Sequence, residues 1–212
     1  MKRSHDSSGA IREPVQARSR EKKTRIVQSA RELINKKGYD AITTSSIAQR
    51  AGVSIGTLYA YFSDKKDILM EVVAAFNDDI YNHFQSGISE NTADNLSLEE
   101  TIDAVLHALW HAHIHEKRLH NEIVILSMRD PEVDAAFSAN EKRLYETIRE
   151  LLIRFNDRIE VNNPAAAMFV LKFAVDGVLN RLLDCENKMD VEAVLREMSS
   201  MILKYLIKTP KR

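Results

Sequence analysis

The chain has 212 residues, 44% of them apolar, and a single cysteine, Cys185, so it can bury a core of its own and must fold without an internal disulfide. Its longest run free of Asp, Glu, Lys and Arg is Ala51 to Ser63, well short of the roughly 20 apolar residues of a membrane span, and the N-terminus lacks the apolar segment of a secretory signal; together with the lone cysteine this places the expected protein in the cytoplasm. A formal net charge of −1 hides a division: residues 1–66 hold 14 Lys and Arg against 6 Asp and Glu, whereas residues 67–212 hold 16 against 25, a pattern that points the first part toward a polyanion.

Residues 1–19, rich in Ser and Arg, are expected to form a flexible basic arm. A first helix is predicted from about Arg20 to Lys37, with Ile26, Ala30, Leu33 and Ile34 on one face and Gly38 as its stop. A short second helix follows Thr43 or Thr44, turns Ile47, Ala48 and Ala51 inward and ends at Gly52. Ser54 can cap a third, Ile55 to Phe62. A fourth runs from about Lys66 to Ser86. Five more are predicted near 97–115, 118–128, 131–157, 164–184 and 190–207, with ISENTADNLS as the clearest loop. Strand-like alternation is absent, so the fold class is all-α with about nine helices.

The second and third helices, joined through a Gly-containing turn, have the form of a helix-turn-helix. At 100° per residue the third helix divides its work: Leu58 and Phe62 face the core, while Gly56 and Ala60 form the centre of the opposite side, flanked by Thr57 and Tyr59, with Tyr61 nearer the rim. A bare centre lets a helix backbone approach the floor of the DNA major groove, and hydroxyls at its edges can reach phosphates or bases. This gives a reason for Gly56, which otherwise costs about 1 kcal/mol relative to Ala in a helix. Helix N-termini at Thr44, Ser54 and Asp64 offer further N–H donors, and Lys65 a charge. The competing reading of Tyr39, Tyr59 and Tyr61 is that they pack as partly buried core.

The run TTSSIAQRAGVSIGTLYAYFSDKKDIL, Thr43 to Leu69, resembles the DNA-binding signature of the TetR family of bacterial transcriptional regulators. The resemblance implies a three-helix DNA-binding domain at 20–66 and a larger helical ligand-binding and dimerisation domain at 67–212. By position it assigns Thr44 and Lys65 to phosphate, and Ser54, Gly56, Thr57, Tyr59 and Tyr61 to the recognition surface. Many members have histidine where this chain has Tyr61.

In the second part, AAAMFVLKFAVDGVLNRLL, Ala165 to Leu183, is apolar around most of its circumference and needs cover on several sides. The resemblance implies that this helix and the last, with Val194, Met198, Met201, Ile202 and Leu206, pair with their copies in a homodimer whose two recognition helices read a palindromic operator in double-stranded DNA. His107, His111 and His115 recur every four residues, a spacing open to metal, but they lie opposite the apolar stripe of Ile102, Val105, Leu106 and Leu109, as a solvated face would. No metal site or cofactor is assigned. His113 sits at the centre of that stripe beside Trp110, either as a satisfied core residue or as a polar contact in a ligand cavity with Phe137, Leu144 and Phe173.

No nucleophile with a base, phosphate loop or cysteine cluster is present to suggest an enzyme. The expected function is a homodimeric repressor released from DNA by a partly apolar small molecule. The alternative keeps the helix-turn-helix and gives the second domain a protein partner.

Overall fold

The structure, a computed structural model, describes residues 12–91, 96–114, 116–184 and 189–207. The first eleven residues of the expected arm, the centre of the expected loop, His115 and Cys185 lie outside the described residues. Nine helices are present among those described: α1 (Arg12–Lys37), α2 (Thr44–Ala51), α3 (Ile55–Tyr59), α4 (Lys65–Asn91), α5 (Leu98–Ile114), α6 (Lys117–Ser127), α7 (Pro131–Ile153), α8 (Pro164–Asp184) and α9 (Val191–Leu206).

The helix α1 starts at Arg12, not at Arg20, so the second half of the expected arm is helical. Pro14 falls in its first turn, where a missing N–H leaves no bond unmade, and no glycine or second proline intervenes before Gly38. Ile26, Ala30 and Ile34 then form one fully buried stripe. At Gly38 the backbone turns left-handed, with φ at +82°, and its N–H donates to the carbonyl of Ile34 at 2.8 Å. A Cβ at this position would lie 3.1 Å from Glu122 Oε1, the same oxygen that accepts the Tyr39 N–H at 2.6 Å. Gly38→Ala is therefore expected to lower unfolding free energy by about 1–2 kcal/mol, through both the positive φ and the displaced carboxylate. A urea melt followed by circular dichroism measures it, and an unchanged midpoint would remove this account of the turn.

Two compact units divide the chain. The first contains residues 12–75 together with Asn121–Ala136; the second contains Phe76–His120 and the residues from Phe137 onward. In this division the end of α6 and the start of α7 belong with the helix-turn-helix. The cause is local chemistry. Glu122 holds the end of α1, the Lys66 ammonium pairs with Asp130 at 2.8 Å and Glu132 at 3.0 Å, and Ile123 and Val133 are fully buried.

In the second unit α5 packs on α8 and α9. Its core includes Phe84, Leu98, Leu106, Leu179 and Leu195, all at or below 1% exposure. Beside it Arg143 lies over the Tyr81 ring at 3.4 Å, and the Tyr81 hydroxyl meets that of Thr147 at 3.2 Å. Of the residues expected to pair from the last helix, Met198, Ile202 and Leu206 are buried in this core; its large apolar side chains that face outward are Met201 and Tyr205, each about half exposed. An outward apolar stripe does exist on α8, where Phe169, Val170 and Phe173 are each more than half exposed and the two phenyl rings stand 4.6 Å apart.

Candidate nucleic-acid interface

The geometry of α2 and α3 is set by caps at each end. Thr43 accepts the Ser46 N–H at 3.1 Å while Ser46 Oγ accepts the Thr43 N–H at 3.0 Å, a reciprocal pair that fixes where α2 begins. Gly52, left-handed at φ +64°, ends α2, and the Val53 N–H reaches back to the carbonyl of Ala48 at 3.0 Å. Ser54 then accepts the Thr57 N–H at 3.1 Å and starts α3. Regular helix stops at Tyr59, short of the expected Phe62, yet the Phe62 N–H still bonds the Leu58 carbonyl at 3.0 Å and keeps both side chains on the inner face.

Leu58 and Phe62 are buried at 0% and 3% exposure. On the opposite side Gly56 and Ala60 are exposed, and a Cβ added at Gly56 would meet only Ser54 Oγ, 4.0 Å away. The centre of the outer face is therefore open and without side-chain bulk. Around it stand hydroxyls already held in position: Thr44 Oγ1 lies 3.1 Å from Tyr59 Oη, Ser54 Oγ 2.8 Å from Thr57 Oγ1, and Tyr61 Oη 3.1 Å from Ser19 Oγ. Tyr59 is half exposed; Tyr39 and Tyr61 are intermediate. Ser19, on α1, escaped the sequence reading because it fell in the stretch assigned to the arm. The signal was the uninterrupted helix-compatible run from Pro14 to Lys37.

Two expectations change. Lys65 directs its ammonium to the carbonyls of Tyr39 and Ile42, at 3.1 and 3.2 Å, and sits 4.1 Å from the centre of the Tyr39 ring. Two of its three donors thus hold the turn between α1 and α2, leaving one for a phosphate. At the start of α4, Asp64 takes the Asp67 N–H at 2.8 Å and Asp67 accepts from both Ser63 N–H and Ser63 Oγ. Those hydrogen bonds hold the Asp67 carboxyl below its ordinary pKa, and two carboxylates at this N-terminus oppose phosphate there.

The five residues expected around a ligand, Trp110, His113, Phe137, Leu144 and Phe173, differ in their surroundings. His113 and Phe137 do come together, each about a van der Waals ring contact from His120, at 5.2 and 5.9 Å between centroids. His113 Nδ1 is 2.8 Å from the Leu109 carbonyl, as in a satisfied core histidine. Leu144 is core, and Trp110 packs against that core. Phe173 points outward, contrary to its expected place in a cavity. An apolar hollow of about 60 Å³ lies between α5, α7, α8 and α9, and none of the five is among its walls.

His107 is engaged by the Glu192 carboxylate at 3.1 Å and by the Asp103 carbonyl at 2.9 Å, while His111 is exposed. Burial alone would lower the His107 pKa, but these partners outweigh it and raise it. Among the described residues no group of three His, Cys, Asp or Glu side chains is placed to hold a metal.

Comparison with known proteins gives consistent findings. Residues 26–72 match the family model for bacterial regulatory proteins of the tetR family, and residues 97–206 match that for the tetracyclin repressor-like C-terminal domain. The HTH-type transcriptional regulator UidR of Escherichia coli (strain K12) is 21% identical over 185 residues, 87% of this chain and 90% of UidR. A TetR-family transcriptional regulator from Mesorhizobium loti MAFF303099 superimposes with a TM-score of 0.72 at 21% identity, covering 89% of this chain and 96% of the other. A transcriptional regulator from Saccharomonospora viridis, solved in complex with choline, gives a TM-score of 0.67 at 18% identity over 88% and 98%.

Proposed function

The chain belongs to the TetR family of bacterial regulatory proteins and is a DNA-binding transcriptional regulator, and from that premise we propose that it works as a homodimeric repressor which a partly apolar small molecule releases from a palindromic operator. The observation that carries the reading is the open outer face at Gly56 and Ala60, ringed by hydroxyls. Ser54, Thr57, Tyr59 and Tyr61 are its base and phosphate contacts, Gly56 its point of closest approach, and Thr44 a phosphate contact at the start of α2. Lys65 adds one N–H to phosphate while it braces the turn beside it.

The outward stripe of Phe169, Val170 and Phe173 supports a second copy on α8, and a symmetric pair of recognition helices matches a palindrome. The hollow in the second unit supports a small-molecule effector, as does the choline complex of the S. viridis relative. Binding that favours a conformation with a different spacing of the two recognition helices would move the population off DNA. Such a regulator acts in the cytoplasm. Among the described residues no helix is long and apolar enough to cross a membrane.

Selection of duplexes from a random pool should return an inverted repeat bound by two chains. Thermal-shift hits from a metabolite and antimicrobial screen should include at least one compound that dissociates this complex. A selected site without two-fold symmetry would refute the dimeric reading, and hits that stabilise the protein without releasing DNA would refute the effector reading.

A further inference from the structure

The hollow between α5, α7, α8 and α9 does not stand alone. Its walls include Leu106 and Leu109 of α5, Ile148 of α7, Val175 of α8 and Ile202 of α9. A second hollow of about 280 Å³, open to solvent, lies farther along α7, bounded there by Arg149, Ile153 and Asn156, and on α8 by Pro164 and Ala167. Leu152, Met168, Leu171 and Leu206 wall both. These four apolar side chains form a wall common to the two hollows, and Met168 is the most adaptable of them. Between them the two spaces reach the roughly 300 Å³ at which small-molecule sites begin.

Polarity along this path runs in one direction. Two polar side chains line the inner hollow, and both are engaged elsewhere. The Tyr145 hydroxyl donates to the two carboxylate oxygens of Asp176, each at 3.1 Å, and the Lys172 ammonium donates to Glu141 at 2.5 Å. Burial pushes the Asp176 carboxyl above its ordinary pKa, and Tyr145 likewise. The surface of this hollow is carbon throughout, so a ligand head group entering there would lose its water without gaining a partner. The inner hollow thus offers an occupant only carbon. At the open end Arg149 is exposed and, among the described residues, makes no hydrogen bond or ion pair; no carboxylate lines that mouth.

We propose that this path binds a linear amphiphile of medium chain length with an anionic head, its aliphatic tail passing Met168 into the inner hollow and its carboxylate or phosphate held at the mouth by Arg149 and Asn156. The proposal rests on the ligand-responsive reading given above and names the chemical class of that ligand. Chain length follows from the helix: Tyr145 to Ile153 spans about 12 Å along α7 at 1.5 Å per residue. An acyl carboxylate fits this description. A compact cation does not.

The test uses the full chain and three probes of equal tail length, decanoate, decanol and decyltrimethylammonium, each titrated by calorimetry below its micelle concentration. Decanoate should bind roughly three- to tenfold more tightly than decanol, the worth of one partly exposed ion pair, with the cation weakest. Arg149→Gln should erase the preference for decanoate and leave decanol binding as it was. Leu171→Trp, which fills the boundary between the hollows, should abolish binding of all three; should it fail to fold, Met168→Phe serves the same purpose. Equal or tighter binding of the cation, or an Arg149→Gln variant that keeps its preference, would overturn the assignment. Decanoate that binds in the expected pattern yet leaves the DNA complex intact would sink the effector reading and spare this one. DNA release by another compound, with no decanoate binding, would do the reverse.

Discussion

Gly56→Glu will leave the fold intact and reduce duplex affinity by about a hundredfold or more. A Cβ added here meets nothing nearer than Ser54 Oγ at 4.0 Å, and the position is exposed, so the side chain leaves toward open space. A glutamate near the start of a helix is also a better local choice than glycine, by a few tenths of a kcal/mol or more. Thermal stability should therefore hold or rise slightly. Against DNA the same carboxylate stands where the backbone must approach bases and phosphates, and like-charge juxtaposition at an interface costs several kcal/mol, of which about 3 suffices for a hundredfold. Fluorescence anisotropy on the selected operator reads the loss. Wild-type affinity in this variant would place the interface elsewhere on the molecule.

Val170→Glu combined with Phe173→Glu is expected to convert a dimer into monomers. In a single chain both positions are more than half exposed, at 57% and 55%, so the substitutions bury nothing and the secondary structure should persist. If a second copy covers the stripe, two carboxylates per protomer lose their water without a partner, at several kcal/mol each. The dimer dissociation constant should rise by about a thousandfold or more, read by analytical ultracentrifugation, and cooperative operator binding should fall with it. An unchanged sedimentation profile would show that α8 is not the interface.

How much of this was legible beforehand follows from the physics of each element. The inward Leu58 and Phe62 and the outward Gly56 and Ala60 were readable because a short helix with one apolar side has one sensible phase. Gly38, Gly52 and Ser54 were readable because left-handed turns and caps restrict residue type. In α9 apolar residues at 194, 198, 201, 202 and 206 are spread too widely to fix a phase, and Met198 and Ile202 turned out to face their own core. For α8, apolar on nearly every side, no wheel could say that Phe173 points out while Val175 lines a hollow. Lys65 and Glu122 were opaque for another reason. A long flexible side chain reaches partners such as the Tyr39 carbonyl and the Tyr39 N–H, whose proximity only the tertiary fold creates. The grouping of His113 and Phe137 through His120 was half seen, since rings from three different helices are brought together only by the tertiary fold.

The single rod α8 presents Val175 and Leu171 to the inner hollow and Val170 and Phe173 to the outside. An occupant wedged against one flank and a neighbour seated on the other would press on the same backbone, so each equilibrium must bias its counterpart by an equal factor. Effector titrations would then drift with protein concentration, and dilution alone could tune how sensitively a cell hears its signal.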